Sequence, residues 1–507
     1  MERQQRQERQ QAEFQPPQPV TFTGRKTLVA TAIAVVLIAG ALVIRPARVD
    51  DDPRPPGPTE RAASAVGMGS PAASVDLAAL IKDREAWLRG HAEDHGSWAV
   101  LGSAYLEQAR RGADAAWYPK AEKALKRSLE LRSAEQGNFD AMTGMGALAN
   151  ARGDFGTGKK WGELVRAQSP RRWTAYPVLV DAYSGAGDYK AAEKAMERLV
   201  ELRPGLAAHA RAAQVYRDRG WREDATASME KAAGAAKTPA EKAYCLSRLG
   251  ELAWERGETT EALRLYEAAL RTDPAQPQAL GGRARALASL GRAGEAVRDY
   301  RMALGRAPVP QLALELGELL ESLDREDEAR AAEGPYTLLA GLAARDGSQG
   351  ARGAHGVNEA VVLGLYEADH GDRTSAVRRL TAEWDRHKSV QVADALGWAL
   401  HRAGDSESGL EYAKKATDLG LRSADFAYHR ALMERALGDT ASARRHLQEA
   451  LRTNPGFSPV RAAAAREALA AVGEPGAGGP ENVLPKGKWV APDMSQYIVP
   501  AKPKPKP

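Results

Sequence analysis

Three short stretches carry residue types that can do chemistry. HAEDH at 91–95 places two histidines four apart, the spacing that lets one helix face hold a zinc ion. The hydrolytic version of that motif needs Glu in the second place. Ala92 stands there, and Gly90 and Gly96 bracket the run, so a solvated loop between helices is expected. GDFGTGKK at 153–160 approaches the pattern of a phosphate-cradling loop, but Lys160 replaces the hydroxyl residue that would hold the metal, and no strand precedes it. An inter-helix turn is expected instead. Cys245 is the one cysteine, which excludes an intrachain disulfide and a cysteine zinc site; it reads as a small apolar residue. No G-x-S-x-G occurs and no carboxylate pair stands out from ordinary surface charge. The expectation is a chain that is not an enzyme, with no catalytic residues, cofactor or metal.

The elements that would position any site are helical. Of 507 residues, 43% are hydrophobic, enough for a large core. Only five are isoleucine, three of them in one apolar run, and the rest of the chain is built from Ala, Leu, Glu, Arg and Gly, which favours an all-α fold. The net charge of +5 is a near-balance of 71 basic and 66 acidic residues, which argues against a nucleic-acid partner.

Residues 27–44, TLVATAIAVVLIAGALVI, carry no charge and are flanked by Arg25, Lys26, Arg45 and Arg48. As a helix they would span roughly 27 Å, close to the ~30 Å hydrocarbon layer. The competing reading is a cleaved signal peptide, but the preceding region would be long and no A-x-A site follows. A single transmembrane helix is therefore expected, with residues 1–26 as a disordered cytoplasmic tail and the bulk of the chain extracytoplasmic. Residues 45–75 read as a Pro-rich linker, and 473–507, ending AKPKPKP, as a disordered Pro/Lys-rich tail.

Residues 76–472 repeat themselves. Gly153, Gly187, Gly220, Gly257, Gly291, Gly371, Gly404 and Gly438 are separated by 34, 33, 37, 34, 80, 33 and 34 residues. The long gap contains one unit whose turn carries Asp324, and a Gly-rich insertion around 341–356. The unit 243–276, AYCLSRLGELAWERGETTEALRLYEAALRTDPAQ, and its successor 277–309 share Leu-Gly or Gly-rich openings, a turn glycine, Ala at the twentieth place, Tyr, Ala-Leu and Pro at fixed offsets. About ten units are expected: 95–138, 139–172, 173–205, 206–242, 243–276, 277–309, 310–343, 357–389, 390–423 and 424–457. Helices over 76–90 and 458–472 would cap the array. In units seven and eight, Tyr336 and Glu383 take places where a small residue is usual.

This period and pattern resemble the tetratricopeptide-repeat family, here of a membrane-anchored bacterial type. The resemblance implies a right-handed superhelical solenoid of helix pairs, whose concave groove is lined by the first helix of each unit at its second, fifth, ninth, twelfth and thirteenth places. Mapped onto this chain, the groove positions include Gln214, Arg217, Glu251, Trp254, Arg285, Asp394, Trp398, His401, Arg402, Tyr428 and Arg435. Trp254 and Trp398 are expected to stand exposed there, as anchors for a partner peptide. The Lys/Asn clamp with which some relatives hold a C-terminal carboxylate is not evident. The function expected is a non-catalytic scaffold that binds partner proteins or peptides at the membrane. An accessory subunit of a cell-envelope enzyme or assembly complex is the alternative. A weak contact of the C-terminal Lys/Pro tail with anionic surfaces is a third, salt-sensitive expectation.

Overall fold

The computed structural model describes residues 56–274, 276–349 and 357–473. The apolar run 27–44 and the tail 474–507 lie outside the described residues. Among those described, no helix is long and apolar enough to cross a membrane.

Most of the expected units form two helices joined by a tight turn, through to Ala424–Ala436 with Thr440–Thr453; in the first, the 3-10 turn Ala115–Trp117 lies between His95–Gly112 and Tyr118–Leu131, and unit seven is interrupted. The turn chemistry is visible in a recurring Gly-Asp pair. At Gly153, Gly187, Gly404 and Gly438 the backbone is left-handed (φ 74°, 85°, 99° and 84°), which ends the first helix. The aspartate that follows caps the second: Asp154, Asp188, Asp405 and Asp439 each accept the amide N–H three residues on. Such a cap contributes about 1 kcal/mol. GDFGTGKK is therefore a helix-to-helix turn, and HAEDH is a loop in which Asp94 caps His95–Gly112.

Close packing within a unit rests on small residues. A Cβ added to Gly102 would lie 2.6 Å from Leu125 Cγ, and one added to Gly364 would lie 2.5 Å from Leu380 Cγ. The facing alanines Ala192, Ala225, Ala262, Ala296, Ala329, Ala376 and Ala443 are completely buried. Unit seven keeps this logic by another route. Its turn uses Asp324 in the left-handed region (φ 57°), and its second helix stops at Ala329 and restarts at Pro335, which cannot continue a helix. Tyr336 then fills the notch opposite Gly317. In unit eight, Glu383 is buried but paired with Arg386.

Two departures from expectation occur at the start of the array. A helix, Pro58–Met68, lies inside the stretch expected to be a linker. It buries Ala62 and Ala65 against Ser74–Gly90, and the Arg61 guanidinium makes a two-pronged pair with Asp76 (2.8 and 2.6 Å). The helix expected over 76–90 therefore begins at Ser74 and is itself covered.

The array also closes on itself. The turns of units three, four and five touch the junctions that end units eight, nine and ten. Lys388 N–H donates to the Ala186 carbonyl, and Val390 N–H donates to the Tyr189 hydroxyl (3.0 Å). Arg222 donates to the Arg422 carbonyl (2.9 Å), and Asn454 Nδ2 donates to the Trp254 carbonyl (2.8 Å). The separations are 201, 200 and 200 residues for the last three, a constant register. Successive coils of the solenoid are thus in contact, on a repeat of about six units.

His387 sits in this seam, its ring edge-on to Phe155 with centroids 4.8 Å apart. Burial first, then the neighbouring Arg386, pushes the imidazole down to about 4. Glu383 Oε1, 3.6 Å away, is too distant to hydrogen-bond it. Above pH ~6.5 the ring is neutral in both folded and unfolded chains and contributes no pH dependence. As pH falls from there toward about 4, only the unfolded ring takes a proton, so stability is lost across that window. The loss expected is roughly 1–3 kcal/mol. Urea titrations at pH 7 and pH 5 should show it in the wild type, and His387→Phe should reduce the difference, the remainder coming from other imidazoles that burial pushes down, His370 and His401 among them. An undiminished difference in that variant would clear His387 of the role.

Candidate partner-binding groove

The first helices of units three to seven present a row of arginine–carboxylate pairs, linked between units five and six by Arg285 over the Trp254 ring. Arg211 forks onto Asp181 (2.9 and 2.8 Å). Gln214 bridges Asp218 (2.9 Å) and Arg248 (2.8 Å). Arg217 reaches Glu255 in the next unit (2.8 Å), and Arg248 pairs with Glu251. Arg285 reaches Glu315 (2.8 Å) while its guanidinium lies 5.6 Å from the Trp254 ring centroid. The links from Arg211, Arg217 and Arg285, and that between Gln214 and Arg248, join adjacent units. The row therefore registers one unit against the next as well as covering the wall.

The electrostatics are those of a confined surface. Burial opposes the charge on Arg217, but Glu255, Asp218 and Glu251 more than offset it and hold the guanidinium above its usual range. Burial likewise pushes the Glu251 carboxyl up, and Arg248, Arg217 and Arg285 bring it below its ordinary value. These side chains still keep part of their surface open: 22% for Arg217, 33% for Glu251 and 26% for Arg285. The charges are compensated but reachable.

Trp254 and Trp398 do not stand exposed. They are 5% and 4% accessible and belong to one apolar cluster with Tyr428. The Trp254 ring lies beneath the Arg285 guanidinium, and its backbone carbonyl accepts from Asn454 at the end of unit ten. Trp398 is covered because its ring stacks on His429 (centroids 4.3 Å) beneath the Arg402 guanidinium (5.6 Å), while its indole N–H donates to Asp369 (3.1 Å). Asp394 is spent on His429 Nδ1 (2.9 Å). His401 Nδ1 meets the Ser406 hydroxyl (2.9 Å), and burial, helped by Arg402, pushes this imidazole below its ordinary value. Arg435 is exposed and makes none of the described pairs. The named positions therefore fall into two groups: Gln214, Arg217, Glu251, Trp254 and Arg285 in units four to six, and Asp394, Trp398, His401, Arg402 and Tyr428 in units nine and ten.

Five wall residues were not singled out by the sequence, the first being Asp181 at the ninth place of unit three. Arg211, Arg248 and Glu315 occupy the sixth place of their units, one beyond the place the resemblance assigns to the groove, and Glu318 occupies the ninth place of unit seven. Only units four, five and seven carry a long charged residue at that sixth place, so the signal in the sequence is faint. Cys245 is fully buried and burial pushes its thiol up to about 12, which makes it an inert core residue. Among the described residues, no group of three or more His, Cys, Asp and Glu is placed to hold a metal ion.

The tetratricopeptide-repeat profiles match residues 175–205, 247–309 and 395–459, which are units three, five, six, nine and ten of the geometry above. The chain carries tetratricopeptide repeats. Similar solved structures include the Cut9–Hcn1 hetero-tetramer of the APC/C (15% identity, 79% of this chain and 82% of that one, TM-score 0.40). Another is a tetratricopeptide repeat protein from Parabacteroides merdae (16% identity, 52% and 97%, TM-score 0.31). A third is a thermophilic tetratricopeptide-repeat protein of Thermus thermophilus (23% identity, 34% and 92%, TM-score 0.30). Among curated proteins, none matches this sequence. The tetratricopeptide units outside the matched segments, such as unit seven with its interrupted second helix, follow the same packing rules with more irregular sequences.

Proposed function

We propose that this chain is a membrane-tethered scaffold that holds partner proteins through its inner wall and performs no chemistry. Tetratricopeptide repeats are typically protein–protein interaction scaffolds, and the chain carries them. The observation that carries the reading is the row of partly open, internally compensated ion pairs from Asp181 to Glu315. Such a wall can exchange its own partners for those of an incoming segment without burying an unpaired charge. The tether rests on the sequence of 27–44, and with it the placement of the repeats outside the cytoplasm.

The test is proximity labelling from the C-terminus, comparing wild type with Arg217→Ala plus Arg285→Ala. The double variant should keep its helical circular dichroism and lose at least tenfold in labelling of its main partners. An unchanged partner set would remove the inner wall from the interaction. A topology reporter fused after Pro507 tests the tether: activity specific to the cytoplasmic side would overturn the proposed orientation, and full release of the chain without detergent would overturn the anchor.

A further inference from the structure

Between Thr440–Thr453 and Arg461–Val472 the chain crosses the first helices of earlier units as a non-helical segment, NPGFSPV, that leads into Arg461. Asn454 Nδ2 donates to the Trp254 carbonyl (2.8 Å), and the Ser289 hydroxyl donates to the Gly456 carbonyl (2.9 Å). Phe457 is buried with its ring 5.8 Å from that of Tyr428. The Ser458 hydroxyl donates to Glu318 (3.2 Å), and Arg461 bridges Glu318 (2.5 Å) and Asp425 (3.1 Å). Trp254, Ser289, Glu318, Asp425 and Tyr428 all occupy groove positions of their units. The segment therefore lies between the two groups of groove residues and satisfies both, with backbone, aromatic and cationic contacts in succession.

We propose that residues 454–461 are a built-in occupant of the groove, and that the partner segment these units accept shares its chemistry: an aromatic side chain in the seat of Phe457 and, four residues on, a guanidinium between Glu318 and Asp425. The proposal rests on the reading that the inner wall binds partners. Two features make the occupant displaceable. Beyond Arg461 the closing helix fully buries only three small side chains, Ala462, Ala465 and Ala468, and packs Ala464, Leu469 and Val472 only partly against the core, so its anchorage is modest. The Glu318 seat also favours a cation from either source: burial pushes its carboxyl up, and Arg461 is the main group opposing that. A competing arginine restores what the departing one supplied.

The experiment uses the full chain and a labelled synthetic peptide of sequence NPGFSPVR. An opened form carries Phe457→Ala and Arg461→Ala. A locked form carries Ser289→Cys and Gly456→Cys, because a Cβ at Gly456 would lie 3.0 Å from that of Ser289, within a small shift of disulfide geometry. Cys245 is buried and does not compete. The opened form should bind the peptide at least tenfold more tightly than wild type, and peptides lacking the aromatic ring or the guanidinium should bind at least tenfold more weakly. The oxidised locked form should not bind measurably, with binding regained on reduction. Equal binding by locked and reduced chains, or no binding by any form, overturns the proposal. Should the opened form fail to fold, the oxidised–reduced comparison decides alone. Partners retained by the locked chain but lost from the Arg217 and Arg285 double variant would sink the built-in occupant and leave the scaffold standing.

Discussion

Gly220→Ala is expected to destabilise the array by about 2–5 kcal/mol and to separate its coils, whereas Gly291→Ala should cost only about 1–2 kcal/mol. The two glycines are alike locally. Both end the first helix of a unit in the left-handed region, at φ 76° and 75°. A side chain therefore meets the same intrinsic penalty at each. They differ in what lies above them. A Cβ on Gly291 would meet nothing within 4 Å, but one on Gly220 would fall 2.0 Å from the carbonyl oxygen of Gly420, in the next coil. Backbone cannot rotate aside as a side chain can, so one coil must lift from the other. Gly187 repeats the arrangement, with the Lys388 carbonyl 2.3 Å from its would-be Cβ. Urea titration gives the stabilities, and small-angle scattering gives the expansion. Equal destabilisation by the two substitutions, with unchanged dimensions, would mean the coils do not bear on one another.

Tyr266→Ala should cost about 3–5 kcal/mol, the largest effect expected of a single core truncation here. Tyr266 is 2% accessible, and its ring fills notches left by two glycines on different units. Added Cβ atoms would approach the ring to 2.9 Å at Gly250 and 2.2 Å at Gly282. Removing the ring opens a cavity between two units at once, and neither first helix can close it without leaving its other neighbours. Tyr266→Phe keeps the shape and should change stability by less than about 1 kcal/mol. Thermal or chemical unfolding of the two variants separates loss of volume from loss of the hydroxyl. A loss under about 1 kcal/mol for the alanine variant would show that the units repack freely around the gap.

The legible part of the fold is the part decided within one unit. Gly102, Gly146 and Gly250 are glycine because a facing helix leaves no room, and Gly153-Asp154 recurs because one residue ends a helix and the next begins another. Such constraints act over a few residues and repeat with the unit. The surroundings of Trp254 are hidden from the sequence because they come from other units: Arg285 stands over the ring, and the partner of the backbone carbonyl, Asn454, lies 200 residues away. That of Trp398 is hidden because a groove position is open only if the next unit does not stack on it, as His429 does. Pro58–Met68 escapes notice because proline at its start and alanine at its centre read as a tether until Asp76 is seen to wait for Arg61. The pairing of Arg217 with Glu255 is within reach, since both stand on one wall of adjacent units. That their charges compensate each other cannot be read without the distance.

The constant register between coils has a consequence for length. An open column of repeats can gain or lose a whole module anywhere, because each touches only its neighbours. Here an internal duplication would slide the upper coil along the lower by about 34 residues. Tyr189, Arg222 and Trp254 would then all miss their counterparts together. Growth without dephasing is confined to the two ends, so the winding acts as a ruler for the number of modules between them.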